Sequence, residues 1–418
     1  QRRNVYYQRV MEILRASPEL RIPQNKFAFY ANAVISEMVG YGIIEPLIQD
    51  DKLEEIMVIQ AKRPVYVFHR EHNMMLTNIE FYSDNEIQDV INRIAREVGR
   101  RVDISAPLLD ARLPDGSRVN ATIPPASIDG STLTIRKFRT DPYSIIDLVR
   151  MGTLGVEAAA FLWFCVDGLQ TKAANILIAG GTSSGKTTLL NVLCSFIPDN
   201  ERIISIEDTA ELNLPLQHWI RLEGRPPGLE GKGELSLDIL TKNSLRMRPD
   251  RIIVGEIRHD EAFTLFTAMN TGHNGCLGTV HANSAQETLV RLTNPPMNVP
   301  EIMLSGLDFI IIENLFHTRK KGTFRRVSEI AEVRGVLEGK AKAQTLFDRD
   351  PVKDELVKLD IPSEYVYELQ RLTGKTKTEM ELELKQREKA LKEVMAKGIR
   401  DMRQVSTLLK QASFEGGI

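Results

Sequence analysis

Cysteine is scarce in this sequence of 418 residues, which contains only three. Cys165, Cys194 and Cys276 lie far apart, and their positions do not give the spacing of a zinc-binding module. Each cysteine has apolar neighbours, as a buried free thiol does. We therefore expect no zinc site, and we expect a reducing environment such as the cytoplasm.

The sequence also lacks an excess of charge of either sign and long apolar runs. Its 54 basic and 56 acidic residues give a formal net charge of -2, which argues against broad electrostatic binding of nucleic acid or anionic lipid. Basic and aromatic residues are not interleaved as they are in surfaces that bind single strands. No window has the roughly 18 apolar residues that a bilayer crossing needs. We expect a soluble protein without direct nucleic-acid contact.

The length is sufficient for two or three domains, each with its own core. Because the chain begins at Gln1, we expect that some native N-terminal residues are missing. Residues 1–136 are predicted to form a small α+β domain with leading helices, since helical spacing over 27–46 is followed by short apolar strands. Ser83 and Glu86 predict a capping box for the next helix. The predicted apolar face of that helix consists of Ile87, Val90, Ile91, Ile94 and Val98.

Residues 137–144 are short, polar and proline-containing, and we interpret them as a hinge between domains. Beyond them, apolar runs alternate with helical segments, which indicates a largely parallel sheet in an α/β domain over 145–334. The predicted strands are NILIAG, ERIISIED, HWIRLEG, DRIIVGEIR and GCLGTVHAN. Residues 335–418 are rich in Lys and Glu with opposite charges three or four positions apart, so they are predicted to be helical.

The stretch GGTSSGKTT carries the most specific motif. Gly180, Gly185, Lys186 and Thr187 match G-x-x-x-x-G-K-[ST], and they lie between a predicted strand and a predicted helix. The glycines allow backbone N–H groups to turn toward phosphates, and the helix N-terminus adds partial positive charge. Lys186 is suited to the β and γ phosphates and Thr187 to Mg²⁺. The alternative, an ordinary glycine-rich turn, does not require the lysine and the threonine in this context.

Acidic residues follow two of the predicted strands. Glu207 and Asp208 end one strand, and Glu256 ends another, so all three are expected at the sheet edge where open α/β sheets bind ligands. One carboxylate can hold the Mg²⁺ shell while another orients the attacking water. The alternative for each acid alone is a helix cap or a surface charge.

The stretch GHNGCLGTVHAN contains His273, Thr279 and His281. His281 and Thr279 are expected to couple the γ phosphate to movement, because an imidazole at a strand end can donate a hydrogen bond to phosphate or to nearby acids. The alternative is a structural histidine in the core. Metal ligation by these residues is not expected, because no cysteine or acid completes a ligand set at suitable spacing.

In order, GGTSSGKTT, IEDTAEL, RPDRIIVGEIR and GHNGCLGTVHAN resemble the Walker A motif, Asp box, Walker B motif and His box of the secretion superfamily of hexameric ATPases. The resemblance covers roughly residues 35–335. It implies a RecA-like P-loop domain with a mainly parallel sheet, preceded by a small PAS-like α+β domain and followed by C-terminal helices. It also implies binding of ATP and Mg²⁺. The implied P-loop contacts are Gly180, Gly181, Thr182, Ser183, Ser184, Gly185, Lys186, Thr187 and Thr188.

The resemblance assigns further roles outside the P-loop. Asp208 and Thr279 are implied nucleotide contacts, and Glu256 with Thr187 is implied on the Mg²⁺ side. Glu207 is the first choice for orienting water, although the two glutamates resemble the family pattern well enough for their roles to be exchanged. DARLPDGSRVNATIPP resembles the family's arginine segment, which makes Arg112 and Arg118 the implied phosphate-sensing arginines. Alternatively, both arginines are exposed strand residues that pair with local acids.

Within the superfamily, the stretch RLEGRPPGLEGKGELSLDILTKNSLRMRPDRIIVGE most resembles the tight-adherence and archaeal pilus branch. The resemblance implies a homohexamer at the inner face of the cytoplasmic membrane, where it drives pilus assembly or disassembly, or secretion, through a polytopic platform protein. Two alternatives remain: an archaellum or DNA-transfer motor of the same superfamily, and a nucleotide-gated scaffold that does not hydrolyse ATP.

Overall fold

The computed structural model describes residues 2–70, 72–138, 141–225, 233–319 and 322–415. The chain divides into two units, Gln1–Thr140 and Asp141–Ile418. This boundary lies inside the segment 137–144, whose action as a hinge stays a prediction. The proline- and glycine-rich residues 226–232 lie outside the described residues.

Unit 1 contains one six-stranded antiparallel sheet, in the order β3-β2-β1-β6-β5-β4. Its strands are β1 (Leu53–Val58), β2 (Pro64–His69), β3 (Asn73–Glu80), β4 (Leu108–Arg112), β5 (Arg118–Thr122) and β6 (Thr132–Arg136). Its helices are α1 (Arg2–Ala16), α2 (Phe27–Val39), α3 (Glu45–Gln49) and α4 (Asp84–Glu97). The prediction of a small α+β domain with leading helices is confirmed.

Helix α4 packs against this sheet with the face that its sequence pattern predicts. Ile87, Val90, Ile91 and Ile94 are buried in one cluster with sheet residues, and Val98 packs against that cluster. The predicted capping box is not formed, because Glu86 reaches the residue before the N-cap instead of Ser83 itself. Glu86 accepts a hydrogen bond from the backbone N–H of Tyr82 at 3.0 Å, whereas the Ser83 side chain makes no cap hydrogen bond. The burial of the apolar stripe therefore fixes this helix more than its cap does.

Unit 2 is built on a nine-stranded sheet in the order β15-β14-β13-β12-β7-β11-β10-β8-β9. Its strands are β7 (Ile176–Ala179), β8 (Ile203–Glu207), β9 (Trp219–Glu223), β10 (Arg251–Ile257), β11 (Leu277–Val280), β12 (Phe309–Thr318), β13 (Gly322–Leu337), β14 (Lys340–Asp350) and β15 (Glu355–Lys358). In this order, neighbouring strands pair in parallel along β12-β7-β11-β10-β8-β9. Neighbouring strands pair antiparallel along β12-β13-β14-β15. All five predicted strands are present, so the RecA-like α/β prediction with a mainly parallel sheet is confirmed.

The central strands read as apolar runs because both faces of the sheet are covered. In β7, Ile176 and Ile178 belong to one core cluster, and Leu177 and Ala179 belong to the other. The helices of unit 2 are α5 (Ile145–Arg150), α6 (Val156–Asp167), α7 (Lys186–Cys194), α8 (Leu237–Ser244), α9 (Glu261–Asn270), α10 (Ala285–Thr293), α11 (Glu364–Thr373), α12 (Lys377–Ala396) and α13 (Met402–Glu415). Residues of α6, α7 and α11 to α13 line the first cluster, and residues of α8 to α10 line the second.

The C-terminal region differs from the expectation of helices alone. The sheet extends past residue 335, since β14 and β15 form a ladder with β13, and the first C-terminal helix begins at Glu364. The Lys- and Glu-rich composition hides these strands because they lie at the edge of the sheet, where polar side chains are tolerated. The three cysteines are buried free thiols, as predicted. Among the described residues, no helix combines the length and apolarity that crossing a bilayer requires.

A buried ion pair attaches α12 to α6. Arg387 is 5% exposed, and its guanidinium donates to Asp167 at 2.7 Å and to Glu383 at 2.7 Å. It also lies over the rings of Trp163 and Phe164. Burial raises the pKa of Asp167 although Arg387 acts to lower it. The carboxyl of Asp167 therefore depends on Arg387 for its charge.

We predict that Arg387→Ala lowers the free energy of unfolding of unit 2 by about 3–5 kcal/mol, because Asp167 loses its buried partner. Denaturant unfolding followed by tryptophan fluorescence measures this change, since both tryptophans, Trp163 and Trp219, are in unit 2. Lys389→Ala is the matched control. Lys389 lies on the same helix but is exposed, and its pair with Glu393 is loose, at 3.9 Å. Equal unfolding midpoints for the two variants would contradict the prediction.

Candidate nucleotide site

The P-loop connects the end of β7 to the start of α7. Gly185 directly precedes α7 with φ of 111°, and Ser183 also has a positive φ, 60°. A Cβ atom on Gly180 would lie 2.1 Å from the backbone oxygen of Glu313, and one on Gly185 would lie 2.6 Å from its carboxylate oxygen Oε1. Gly180 is therefore required by close packing against backbone, and Gly185 is required by its positive φ.

The remaining predicted P-loop residues lie where the motif places them. Thr182 and Ser183 are exposed, Gly181 is half-buried, and Ser184 is buried. Thr187 and Thr188 are half-buried in the first turn of α7. The free N–H groups and partial positive charge of this helix terminus favour an anion.

Lys186 folds back over its own loop. Its Nζ donates to the backbone oxygens of Gly180 at 3.0 Å and Gly181 at 2.7 Å, and it lies 3.5 Å from Nδ1 of His281. Burial lowers the pKa of Lys186, while the charges of Glu256 and Glu313 oppose that shift. The ammonium group thus lies at the mouth of the loop, where phosphate oxygens can replace the carbonyl partners.

Parallel pairing of β10 with β11 brings Glu256 and His281 together. Glu256 lies near the end of β10, and His281 follows β11 directly. Nε2 of His281 lies 2.8 Å from Oε1 of Glu256, but this buried oxygen has no hydrogen-bond partner of good geometry. Burial lowers the pKa of His281, and the charge of Lys186 adds to that shift. We infer that the imidazole is neutral at pH 7 and can donate a hydrogen bond from one nitrogen.

An arginine that the sequence analysis did not identify extends this group. Arg258 donates to Oε2 of Glu256 and lies 3.6 Å from Asp208. Lys186, His281, Glu256, Arg258 and Asp208 therefore form a continuous chain of polar contacts, which we call the edge chain. It joins all four motifs of the sequence. Glu256 lies near the end of β10, and Arg258 directly follows that strand.

Glu207 is oriented differently from Glu256. Its Oε2 accepts hydrogen bonds from the backbone N–H groups of Glu211 at 2.7 Å and Leu212 at 2.9 Å, and its Oε1 is buried without a partner. A Cβ atom on Gly255 would lie 2.9 Å from its Cγ, so Gly255 leaves the space that the side chain occupies. Burial raises the pKa of Glu207 to about 7. A carboxyl with this pKa exchanges its proton near neutral pH, as a general base requires.

Two other residues of the stretch GHNGCLGTVHAN are Thr279 and His273. The hydroxyl of Thr279 is buried and donates to the backbone oxygen of Gly255 at 2.6 Å, which joins β11 to β10. His273 precedes β11 and therefore lies at the opposite end of that strand from His281.

Arg112 and Arg118 belong to unit 1. Arg112 ends β4 and Arg118 begins β5, and the two residues face each other in the register of that hairpin. The predicted turn between them is present, with Gly116 at a φ of 93°. The pairing brings the two arginines together, and their role at a phosphate stays a prediction.

A further buried acid was missed by the sequence analysis. Glu313 in β12 is 2% exposed, and it lies against Gly180 and Gly185. The available signal was a single acid directly after the apolar run FIII, since a strand next to the P-loop strand seldom buries a charge without a function.

Together, the strand, glycine turn, lysine and helix N-terminus define a P-loop nucleotide-binding protein. The chain matches the family model for the Type II/IV secretion system protein over residues 37–413, and it belongs to this family.

Similar proteins span the chain to different extents. Protein MJ0900 of Methanocaldococcus jannaschii is 34% identical over 99% of this chain and 74% of its own length. Protein MJ0781 of the same organism is 54% identical over 56% of this chain, but the match covers only 33% of that longer protein. The type IV secretion system protein VirB11 of Bartonella henselae is 31% identical over 60% of this chain and 78% of its own length. The chain therefore spans about a third of MJ0781.

We predict that Glu207→Gln changes how stability depends on pH. The pKa of Glu207 is raised from 4.5 to about 7, so the folded protein holds this proton more tightly than the unfolded chain does. The resulting stabilisation is complete below about pH 4.5 and is lost as the pH rises through about 7. Relative to the parent, the unfolding free energy of the variant should rise by about 1–3 kcal/mol between pH 5 and pH 8.

Thermal unfolding at several pH values checks this expectation. Glu211→Gln is the control, because Glu211 lies in the same loop and is partly exposed. A difference between parent and Glu207→Gln that does not change with pH would show that Glu207 is ionised at all pH values tested.

Proposed function

We propose that the protein is an ATP-hydrolysing motor that acts as a homohexamer at the inner face of the cytoplasmic membrane. It drives assembly or disassembly of a pilus-like filament, or secretion, through a polytopic membrane platform protein. The edge chain carries the ATPase part of this proposal, because two cations, an imidazole and two acids converge at the P-loop. The family membership supports the secretion or pilus context.

In this proposal the P-loop holds the phosphates. Backbone N–H groups from Gly181 to Thr188 and the N-terminus of α7 contact the phosphate oxygens. Lys186 exchanges its carbonyl partners for the β and γ phosphates, a gain that charge-assisted hydrogen bonds favour. Asp208 belongs to the edge chain through its contact with Arg258, which supports an indirect contact with the nucleotide.

The residues present also fit a magnesium ion. Oε1 of Glu256 is a buried oxygen without a hydrogen-bond partner, and Thr187 offers a hydroxyl in the first turn of α7. Both are the oxygen donors that Mg²⁺ prefers. When bound with ATP, the ion would neutralise charge on the transferred phosphate. Glu256 and Thr187 are therefore the residues that would hold it.

Glu207 is proposed as the residue that orients and deprotonates the attacking water. Its Oε2 is fixed by two backbone N–H groups, so its free Oε1 keeps one direction. The neutral imidazole of His281 lies within contact distance of both Lys186 and Glu256. We propose that His281 responds to the γ phosphate, because any movement of either neighbour changes its hydrogen bonds.

We predict that Lys186→Ala weakens ATP binding by roughly ten- to a hundredfold, since it removes charge-assisted hydrogen bonds to phosphate. Phosphate release should fall at least as much. Titration with ATP and a phosphate-release assay measure the two effects. Lys242→Ala is the control, because Lys242 is exposed and pairs with Asp238 on its own helix. Normal hydrolysis by folded Lys186→Ala would exclude the P-loop assignment, and ATP binding without phosphate release by the parent would favour the scaffold alternative.

Arg112 and Arg118 are proposed to contact the phosphates when the two units close on ATP. An arginine suits this role because its planar guanidinium spreads over developing charge. We predict that Arg112→Ala and Arg118→Ala bind ATP normally but hydrolyse it roughly ten- to a thousandfold more slowly. Small-angle scattering should show that both variants lose the compaction that ATP causes in the parent. Arg96→Ala, an exposed arginine of the same unit, is the control. Parental turnover and compaction in both arginine variants would assign these side chains to the surface.

A further inference from the structure

Two charged residues of the β12–β13 hairpin lie beneath the P-loop. Strand β12 is the parallel neighbour of β7, with Ile312 opposite Ala179. The next residues, Glu313 and Gly180, are therefore side by side, and the backbone oxygen of Glu313 occupies the space where a Cβ on Gly180 would be. The ladder between β12 and β13 is irregular at this point, between Ile312 and Glu313. The hairpin thus contacts the loop at the first glycine of the motif.

Arg325 of β13 contacts the loop at two later positions. Its Nε donates to the backbone oxygen of Ser183 at 2.9 Å, and its Cδ would lie 3.1 Å from a Cβ on Gly185. Ser183 has the positive φ that a non-glycine residue adopts only when its surroundings hold it there. Since Arg325 binds the carbonyl of that residue, it stabilises the loop in the turn that directs successive N–H groups to one side.

Glu313 is the acidic residue of this group. Its carboxyl oxygen Oε1 lies against Gly185, and the cations that act on its charge are Arg325 and Lys186. Burial raises the pKa of Glu313 to about 8, although both cations lower it. The carboxyl is therefore mainly neutral at pH 7, which avoids a full negative charge beneath bound phosphates.

Two polar atoms of this region are left without partners. Oε2 of Glu313 and Oγ of Ser184 are buried and make no hydrogen bond. Buried polar atoms without partners destabilise a fold, so their occurrence beside one loop indicates a role other than stability. A paired or apolar side chain at position 313 would pack as well and would avoid this loss.

We propose that Glu313 and Arg325 are positioning residues of the P-loop. Arg325 holds Ser183 in its left-handed conformation, and Glu313 supports the loop at Gly180 and Gly185. This inference rests on the proposed nucleotide function, because the quantity that the two residues set is the affinity of the loop for phosphate. Both residues act on the loop itself and are not proposed to contact the nucleotide.

The test is the affinity for ADP, measured by titration calorimetry at pH 7, together with the thermal midpoint of the nucleotide-free protein. Arg325→Gln should raise the Kd for ADP about tenfold, because one anchoring hydrogen bond to the loop is lost. Arg325→Lys keeps the charge without the planar group and should give a smaller increase. If Arg325→Gln does not fold, the Kd of Arg325→Lys for ADP tests the same contact.

Arg326→Gln is the matched control. Arg326 is the next residue of β13, but it binds Asp354 at 2.9 Å and the backbone oxygen of Met151 at 3.1 Å. Its variant should lower the thermal midpoint and leave the Kd for ADP unchanged. This comparison separates loss of stability from loss of P-loop geometry.

Variants of Glu313 test the second half of the inference. Glu313→Leu should raise the Kd for ADP by a factor similar to that of Arg325→Gln, whereas Glu313→Gln keeps the shape and an accepting oxygen and should restore most of the affinity. Parental affinity in both Arg325→Gln and Glu313→Leu would overturn the inference while leaving nucleotide binding intact. A parent protein that does not bind ADP would instead refute the proposed function.

Discussion

The parallel alignment of the short strands β7, β8, β10 and β11 is the constraint on which the site depends. Each strand ends at the same edge of the sheet, and the residue that follows or ends it carries the chemistry. The P-loop follows β7, Glu207 ends β8, Glu256 lies near the end of β10, and His281 follows β11. Four segments that are up to about a hundred residues apart in sequence thus meet without any long side chain having to reach across the fold.

Shifted pKa values explain how several ionisable side chains can lie together at this edge of the sheet. Burial lowers the pKa of Lys186 and of His281, and it raises the pKa of Glu207 and of Glu313. Each shift favours the neutral form, so fewer full charges have to be accommodated at once. The more exposed members, Asp208 and Arg258, are solvated and keep their charges at lower cost. A ligand with three or four negative charges would shift the pKa of each of these groups.

Most of this arrangement follows from the sequence, because it depends on local patterns. The five apolar runs predicted the strands of the parallel sheet, and the motif spacing predicted Lys186 at the start of α7. Glu313, Arg325 and Arg258 could not be predicted in the same way. The first two act through a strand neighbour that is more than a hundred residues distant, and the register of β12 against β7 is not readable from either strand alone. The edge strands β14 and β15 were missed because their polar composition resembles that of an exposed helix.

The buried polar atoms without partners distinguish the requirements of stability from those of function. Six such side-chain atoms occur among the described residues, and four of them belong to Ser184, Glu207, Glu256 and Glu313. Each destabilises the fold by roughly 1–3 kcal/mol, so their concentration at one edge is unfavourable for folding alone. Phosphate can accept a hydrogen bond from a hydroxyl, and water or a divalent cation can bind carboxyl oxygens. The edge of the sheet where buried polar atoms lack partners in the free protein is therefore the edge that gains most favourable contacts when a nucleotide binds.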